Sequence, residues 1–259
     1  MNTTFDFSER TVVVTGAGRG IGYAVAHGFA SCGANVAMIA TTAKVHDAAA
    51  TVSNECVGRA TGHVCDITDR QAVRDTIGAF ERIDVLVNNA GLELITPIDV
   101  EGDEVEDAFR RIIDINVNGT YYVTRDAVPR MTAGGRIIVT ASIWSKTAVA
   151  GFSAYCASKH ANLGFTRSVA QELGPKGIAV NAVCPGFIKT EASMRSVSSE
   201  ARRTGMSEDE VANDLLRNQA LPGLLDPGEV VSTYLFLASD LAKDISGQSI
   251  HIDRGDVMD

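Results

Sequence analysis

Thr11-Val-Val-Val-Thr15-Gly-Ala-Gly-Arg-Gly-Ile-Gly22 joins a β-branched run to a cluster of glycines, and an amphipathic stretch follows at once. A short apolar run without alternation reads as a strand buried on both faces. The glycines let the backbone turn tightly and approach a pyrophosphate at the N-terminus of the following helix. The spacing is T-G-x-x-x-G-x-G on Gly16, Gly20 and Gly22, with Gly18, Arg19 and Ile21 between, rather than the commoner G-x-G-x-x-G. A merely tight connection is the bland alternative, but the position after a first strand favours phosphate binding.

The same alternation continues downstream. Asn35–Ile39, Asp84–Val87, Arg136–Thr140 and Ile178–Val183 read as further buried strands, with His63–Cys65 as another. Helices are predicted over about 20–32, 44–54, 69–80, 103–131 and 154–173. Glu229–Ser239 reads as a last helix and Ser249–Ile252 as a last strand. Strand–helix alternation implies an α/β, doubly wound parallel sheet in three α/β/α layers. No repeat or linker divides residues 1–259, so one domain is expected. Residues 187–222 depart from the pattern: they are polar and lack a strand signal. A capping box at Ser207–Glu210 opens a short helix there, with Val211, Leu215 and Leu216 on one side and Pro222 closing it. The segment reads as a lid over a site or as a surface insertion.

Composition narrows the function. The net charge of −9, from 32 acidic against 23 basic side chains, excludes a nucleic-acid or anionic-membrane surface. Met1–Phe7 has no basic or apolar leader, and no run is long enough to cross a bilayer. The five cysteines are scattered and lack C-x-x-C spacing, as expected of thiols in a reducing cytoplasm. Cys156 reads as packing rather than as a nucleophile. The histidines show no H-x-x-x-H pair, so no metal is expected.

Two sites of chemistry stand out. After the second strand, where an acid would hold an adenosine ribose and repel a 2′-phosphate, the chain has Ala40-Thr41-Thr42, with Lys44 behind. Two hydroxyls and the cations Arg19 and Lys44 suit a phosphate, which favours NADP(H) while leaving NAD(H) possible; both cations could equally be solvated. Further on, Tyr155 and Lys159 lie four apart, on one helix face. A free phenol titrates near 10, and a neighbouring cation favours the phenolate, as a general acid/base requires.

These residues, with Asn88-Asn-Ala-Gly91, Asn116-Val-Asn-Gly119, Ser142 and Pro185-Gly-Phe-Ile-Lys-Thr190 in order, resemble the short-chain dehydrogenase/reductase family from about Thr11 to the C-terminus. The resemblance implies a Rossmann-like fold and a catalytic set of Asn116, Ser142, Tyr155 and Lys159. Tyr155 would exchange a proton with the substrate oxygen. Lys159 would hold the nicotinamide ribose and lower the tyrosine's pKa, while Ser142 would bond the carbonyl and Asn116 would hold a water. Asn116 has a second reading, as a polar group mending a break in its helix. The resemblance also assigns cofactor contacts to Gly16, Gly18, Arg19, Gly20, Ile21, Gly22, Ala40, Thr41, Thr42, Asp66, Ile67, Asn88, Ala90, Gly91, Pro185, Gly186, Ile188 and Thr190. Asp253-Arg-Gly255 departs from the family's usual Asp-Gly-Gly, which bears on packing or subunit contact.

A substrate pocket is expected between Ser142, Ile143, Trp144, Val149, Phe187 and Met194, with Leu92 and Glu93 at its edge. Its apolar character suits a ketone or secondary alcohol of modest size. Trp144 reads as a pocket wall or as sheet-edge packing, and Glu93 as a hydroxyl or amine contact or as solvated. The resemblance points to small polyols, hydroxyketones and cyclic ketones, or alternatively to 3-oxoacyl thioesters on a carrier protein. A non-catalytic dinucleotide-binding scaffold is the remote alternative; it predicts erosion at Ser142, Tyr155 or Lys159, and all three are intact. A homotetramer through the helices at 103–131 and 154–173 is the family's usual assembly, and Ala154, Ala157, Ala161 and Gly164 would permit close approach.

Overall fold

A computed structural model describes residues 5–100 and 102–258; Met1–Thr4 lie outside the described residues. The strands are β1 Thr11–Thr15, β2 Asn35–Ala40, β3 Arg59–Val64, β4 Val85–Asn88, β5 Arg136–Thr140, β6 Ala179–Pro185 and β7 Ser249–Ile252. All pair in parallel, in the order β3-β2-β1-β4-β5-β6-β7. This is the expected doubly wound sheet. Its strand order reverses between β1 and β4, where ligands of such sheets bind beyond the carboxyl ends.

The helices are α1 Gly20–Ser31, α2 Lys44–Glu55, α3 Arg70–Gly78, α4 Asp103–Ile113, α5 Thr120–Ala127, α6 Ser153–Leu173, α7 Glu191–Thr204, α8 Glu208–Leu216 and α9 Val231–Ala238. Successive strand residues point to opposite faces, so the core divides in two. Val12, Val14, Val36 and Met38 pack with Phe29 of α1, Val52 of α2 and Leu237 of α9. Val13, Ala37, Ile39 and Leu86 pack with Ile77 of α3, Val123 of α5 and Leu173 of α6. Burial on both faces is why the strands read as continuous apolar runs.

Three elements differ from their sequence reading. The third strand runs Arg59–Val64 rather than 63–65; its burial is patchy, so periodicity was a poor guide. The helix expected over 103–131 is interrupted by a π-helical turn, Asp114–Gly119, between α4 and α5. Thr120 donates its hydroxyl to the Asn116 carbonyl at 2.8 Å, satisfying an oxygen within that turn. The segment 187–222 holds two helices rather than one. Its unpredicted member, α7, is capped by Thr190, whose hydroxyl accepts from the Ser193 amide. Only Ser193, Val197 and Ala201 are buried along it, too thin a stripe to announce a helix. The second, α8, ends at Leu216, well before Pro222. Arg254, the departure noted near the C-terminus, holds this segment in place: its guanidinium donates to the Pro222 carbonyl and to Glu229.

Candidate active site

β1 delivers the glycine turn to the point where the strand order reverses. Gly16 adopts φ +66°, and a Cβ there would sit 2.8 Å from the Ala90 Cα. Only glycine fits so close an approach of two backbones. Thr15 fastens the two turns together, its hydroxyl accepting from the Asn89 and Ala90 amides at 3.0 Å each. Beyond the turn, Arg19 occupies the N-cap of α1 without any side-chain cap. The helix's first amides therefore keep their donor capacity toward the cleft.

A continuous cleft of about 1170 Å³ runs from this turn to Tyr155. At one end it is lined by Gly16, Gly18, Arg19, Gly20 and Ile21, by Ala40, Thr41, Thr42 and Lys44, and by Asp66, Ile67, Ala90 and Gly91. At the other are Ser142, Ile143, Trp144, Val149, Tyr155, Lys159, Pro185, Gly186, Phe187, Ile188 and Thr190, together with Leu92 and Glu93.

Four expected residues do not line it. Gly22 is packed against the Gly16 carbonyl and the Asn89 amide. Asn88 is buried in the sheet and donates to the Thr124 hydroxyl at 2.8 Å, so its neighbour Asn89 takes the cleft position. Met194 lies on α7 away from the opening, where Ala192, Ser193, Arg195 and Ser196 face it instead. Asn116 is fully buried beneath the site. Its Oδ1 accepts from the Leu92 amide at 2.7 Å, and its Nδ2 donates to the Leu92 carbonyl at 3.0 Å and the Ser158 hydroxyl at 2.9 Å. The side chain expected to hold a water is thus engaged in holding the Leu92 turn.

The catalytic end is built from three elements. Ser142 follows β5 as the cap of a short 3₁₀ turn and accepts from the Trp144 amide at 3.2 Å. Its hydroxyl is also hydrogen-bonded to the Tyr155 phenol. Tyr155 and Lys159 stand one turn apart on α6, and Trp144 meets the Tyr155 ring edge-on at 5.9 Å. Lys159 is buried, and its Nζ donates to the Thr140 carbonyl at 2.8 Å. Glu93, read as an edge residue, sits within the site, with Ser196 bonding its carboxylate.

The charges act on one another. Burial, and then the Glu93 carboxylate, push the Tyr155 phenol above its ordinary value, while the Ser142 hydroxyl opposes them. The lowering expected from Lys159 does not prevail, and burial pulls Lys159 itself down to about 8. Glu93 is itself raised by burial, against the pull of Ser196, Lys159 and Arg195. At the far end, burial raises Asp66, but Thr68 and the Arg111 guanidinium outweigh it and hold the carboxyl low. Arg19 does not point freely outward. It lies 2.6 Å from Glu191, which also binds Arg195.

Asn89, Arg111, Glu191, Arg195 and Ser196 are the site residues that the sequence did not disclose. Asn89 carries a signal in the Asn-Asn pair, and the others lie on polar helix faces with no pattern to mark them.

A nucleotide-sized cleft at the switch of a doubly wound sheet, ending in a buried Ser–Tyr–Lys group, defines the class of dinucleotide-binding oxidoreductases. Residues 16–256 match the family model described as enoyl-(acyl carrier protein) reductase. The chain is 34% identical over 257 residues to a D-beta-hydroxybutyrate dehydrogenase of Rhizobium meliloti, covering 95% of this chain and 98% of that one. It is 31% identical over 256 residues to a 3-oxoacyl-[acyl-carrier-protein] reductase of Rickettsia bellii, covering 98% and 99%. The L-sorbose reductase of Gluconobacter frateurii, solved with NADPH and L-sorbose, superposes with a TM-score of 0.89 at 25% identity, covering 99% and 100%. The chain belongs to the short-chain dehydrogenase/reductase family.

Proposed function

We propose that this protein is an NADP(H)-dependent oxidoreductase that interconverts a secondary alcohol and its ketone, with Tyr155 as general acid/base. Its substrates would be small polyols, hydroxyketones or cyclic alcohols, admitted beneath a lid formed by residues 187–222. The observation that carries this reading is the convergence of Ser142, Tyr155 and Lys159 at one end of a cleft whose other end is the glycine turn.

The residues present fit the dinucleotide. The cradle at Gly16 leaves backbone at the cleft surface, and the uncapped start of α1 offers amides to a pyrophosphate. Asp66 and Ile67 would border the adenine. Thr41, Thr42 and Lys44 are exposed and include no acid, which suits a 2′-phosphate. The NADPH in the sorbose reductase supports the same choice. When bound, the nicotinamide supplies the hydride chemistry.

The protein's own residues would manage the proton. Ser142 donates to the substrate oxygen, where charge changes during the reaction. Tyr155, with its phenol held protonated near neutrality, gives the proton in reduction; in oxidation it would receive the alcohol's proton as the phenolate, which higher pH populates. Lys159 orients the ribose. Trp144 and Phe187 exclude water and supply apolar contact.

A second reading has a specific observation behind it. The Rickettsia relative points to a 3-oxoacyl thioester. Against it, Arg195, Arg203 and Arg217 at the lid are each paired with Glu191, Glu200 or Asp214, which leaves these cations poorly placed to dock an acidic carrier protein.

The test is reduction of small hydroxyketones, cyclic ketones and an acetoacetyl thioester by the purified protein, with NADPH and NADH in parallel. We expect faster reduction of the small ketones with NADPH. Tyr155→Phe should lower kcat by about 10²- to 10⁴-fold while still binding NADPH. Unchanged turnover in that variant would overturn the role of Tyr155.

A further inference from the structure

We propose that Glu93 selects the substrate: its carboxylate accepts a hydrogen bond from a hydroxyl on the carbon next to the reacting one. The protein would then prefer hydroxyketones and vicinal diols to plain ketones and alcohols. This rests on the oxidoreductase reading above and narrows its substrate class.

The placement of Glu93 is fixed by a chain of hydrogen bonds that ends at the catalytic tyrosine itself. Asn116 grips both the N–H and the C=O of Leu92, at 2.7 and 3.0 Å. The same amide donates to Ser158, and Ser158 donates to the Tyr155 carbonyl at 2.8 Å. Glu93 is the next residue beyond the gripped peptide, so its position relative to Tyr155 is set by buried polar contacts rather than by a loose loop. From there it lines the cleft together with Ser142 and Tyr155, while Arg195 and Ser196 of α7 face the same space.

The surrounding charges leave Glu93 suited to a neutral donor. Arg19 and Arg195 are paired with Glu191, Arg203 with Glu200, and Arg217 with Asp214. These four cations are therefore already bound to carboxylates and are poorly placed to receive an anionic substrate. Glu93 itself is bonded by a hydroxyl, that of Ser196. A carboxylate has about four acceptor positions, so capacity remains for a second donor.

For alcohol oxidation, a carboxylate here is a handicap. It disfavours the phenolate that must accept the proton of the alcohol. A substrate hydroxyl donated to Glu93 turns that charge into binding energy. Hydrogen bonds to charged groups are worth enough to change relative rates by about 10- to 100-fold.

The measurement is the ratio of kcat/KM for acetoin over butan-2-one, which share a carbon frame and differ by one hydroxyl. It is taken with NADPH for the wild type, Glu93→Gln and Glu93→Ala. Any general effect of the lost charge on Tyr155 cancels in the ratio. We expect the ratio to fall by about 10- to 100-fold in Glu93→Ala and by less in Glu93→Gln, whose amide oxygen still accepts. A ratio that is unchanged, or that rises, overturns the proposal and leaves the oxidoreductase reading standing.

Wild type that reduces neither ketone with either cofactor overturns the oxidoreductase reading instead. Binding then decides the role of Glu93 separately. Fluorescence of Trp144, the single tryptophan, is titrated with butane-2,3-diol and with butan-2-ol in the presence of NADP⁺. Tighter binding of the diol, lost in Glu93→Ala, supports the proposal, and equal affinities overturn it.

Discussion

Lys159 is a buried ammonium whose charge is only partly compensated, and its titration makes a stability statement. Each unit of pKa is worth about 1.4 kcal/mol, so the fall from 10.5 to about 8 costs the charged folded state about 3 kcal/mol. Below pH 8 both the folded and the unfolded chain carry the proton, and the cost is fully present. Between about 8 and 10.5 the unfolded chain binds the proton and the folded chain does not, so wild-type stability rises with pH. Lys159→Met removes the cost but leaves the Thr140 carbonyl without its donor. The variant should therefore gain about 1–2 kcal/mol at pH 7. That gain should shrink above pH 8 and turn into a loss of about 1–2 kcal/mol by about 10.5, where only the missing Thr140 hydrogen bond remains, as read from urea midpoints across pH. A gain independent of pH would contradict the account. The pairing of Tyr155 with Lys159 was legible from their spacing, because four residues bring side chains onto one helix face. The direction of the phenol's shift was not, since it depends on burial and on Glu93, which is distant in sequence.

The element that most changes the reading is α7. Its first residue, Glu191, joins the lid to the glycine turn through Arg19, at 2.6 Å, and Arg19 holds the Glu191 carboxyl below its usual range. A cation expected to meet a 2′-phosphate is thus shared with a lid carboxylate, and the two anions compete for it. Glu191→Gln should tighten NADPH binding by roughly two- to fivefold, with a smaller effect on NADH and a loss of the difference at high salt. Fluorescence titration of both cofactors checks this; equal effects on the two would show that Arg19 serves neither phosphate specifically. Helix α8 could be read in advance from its Ser207–Glu210 capping box, whereas α7 starts with Thr190 and Ser193, a box lacking the usual acid at its third position. Likewise, the interruption of 103–131 at Asn116 leaves little local trace. The Cβ-free approach of Gly119 to Ile67 and the bonds of Asn116 to Leu92 and Ser158 are tertiary facts.

At the scale of the whole molecule, α4 and α6 pack together and leave small and apolar residues at the surface. On α6, Ala157, Ala161 and Gly164 are exposed at successive turns, while Ala154, expected with them, is buried under Thr96. Phe109 of α4 and Tyr121 of α5 are also exposed. Small residues at these positions would permit close helix–helix approach, and we propose the tetramer expected of the family as the assembly. Sedimentation at micromolar concentration should give a species of about four chains, and Ala161→Glu should dissociate it by placing a charge in the contact. A monomer in the wild type would remove the assembly.

The sequence by itself determined the doubly wound sheet, the glycine turn and the Tyr155–Lys159 pair. Each is written in short-range pattern: β-branched runs, glycine spacing, and a four-residue interval on a helix. Only the tertiary structure decided which residues share the cleft. It moved Asn88 and Met194 away, brought Asn89 and Ser196 in, and turned Asn116 into the clamp behind Glu93. Those outcomes depend on burial and on contacts between residues far apart in the chain, which no local pattern encodes.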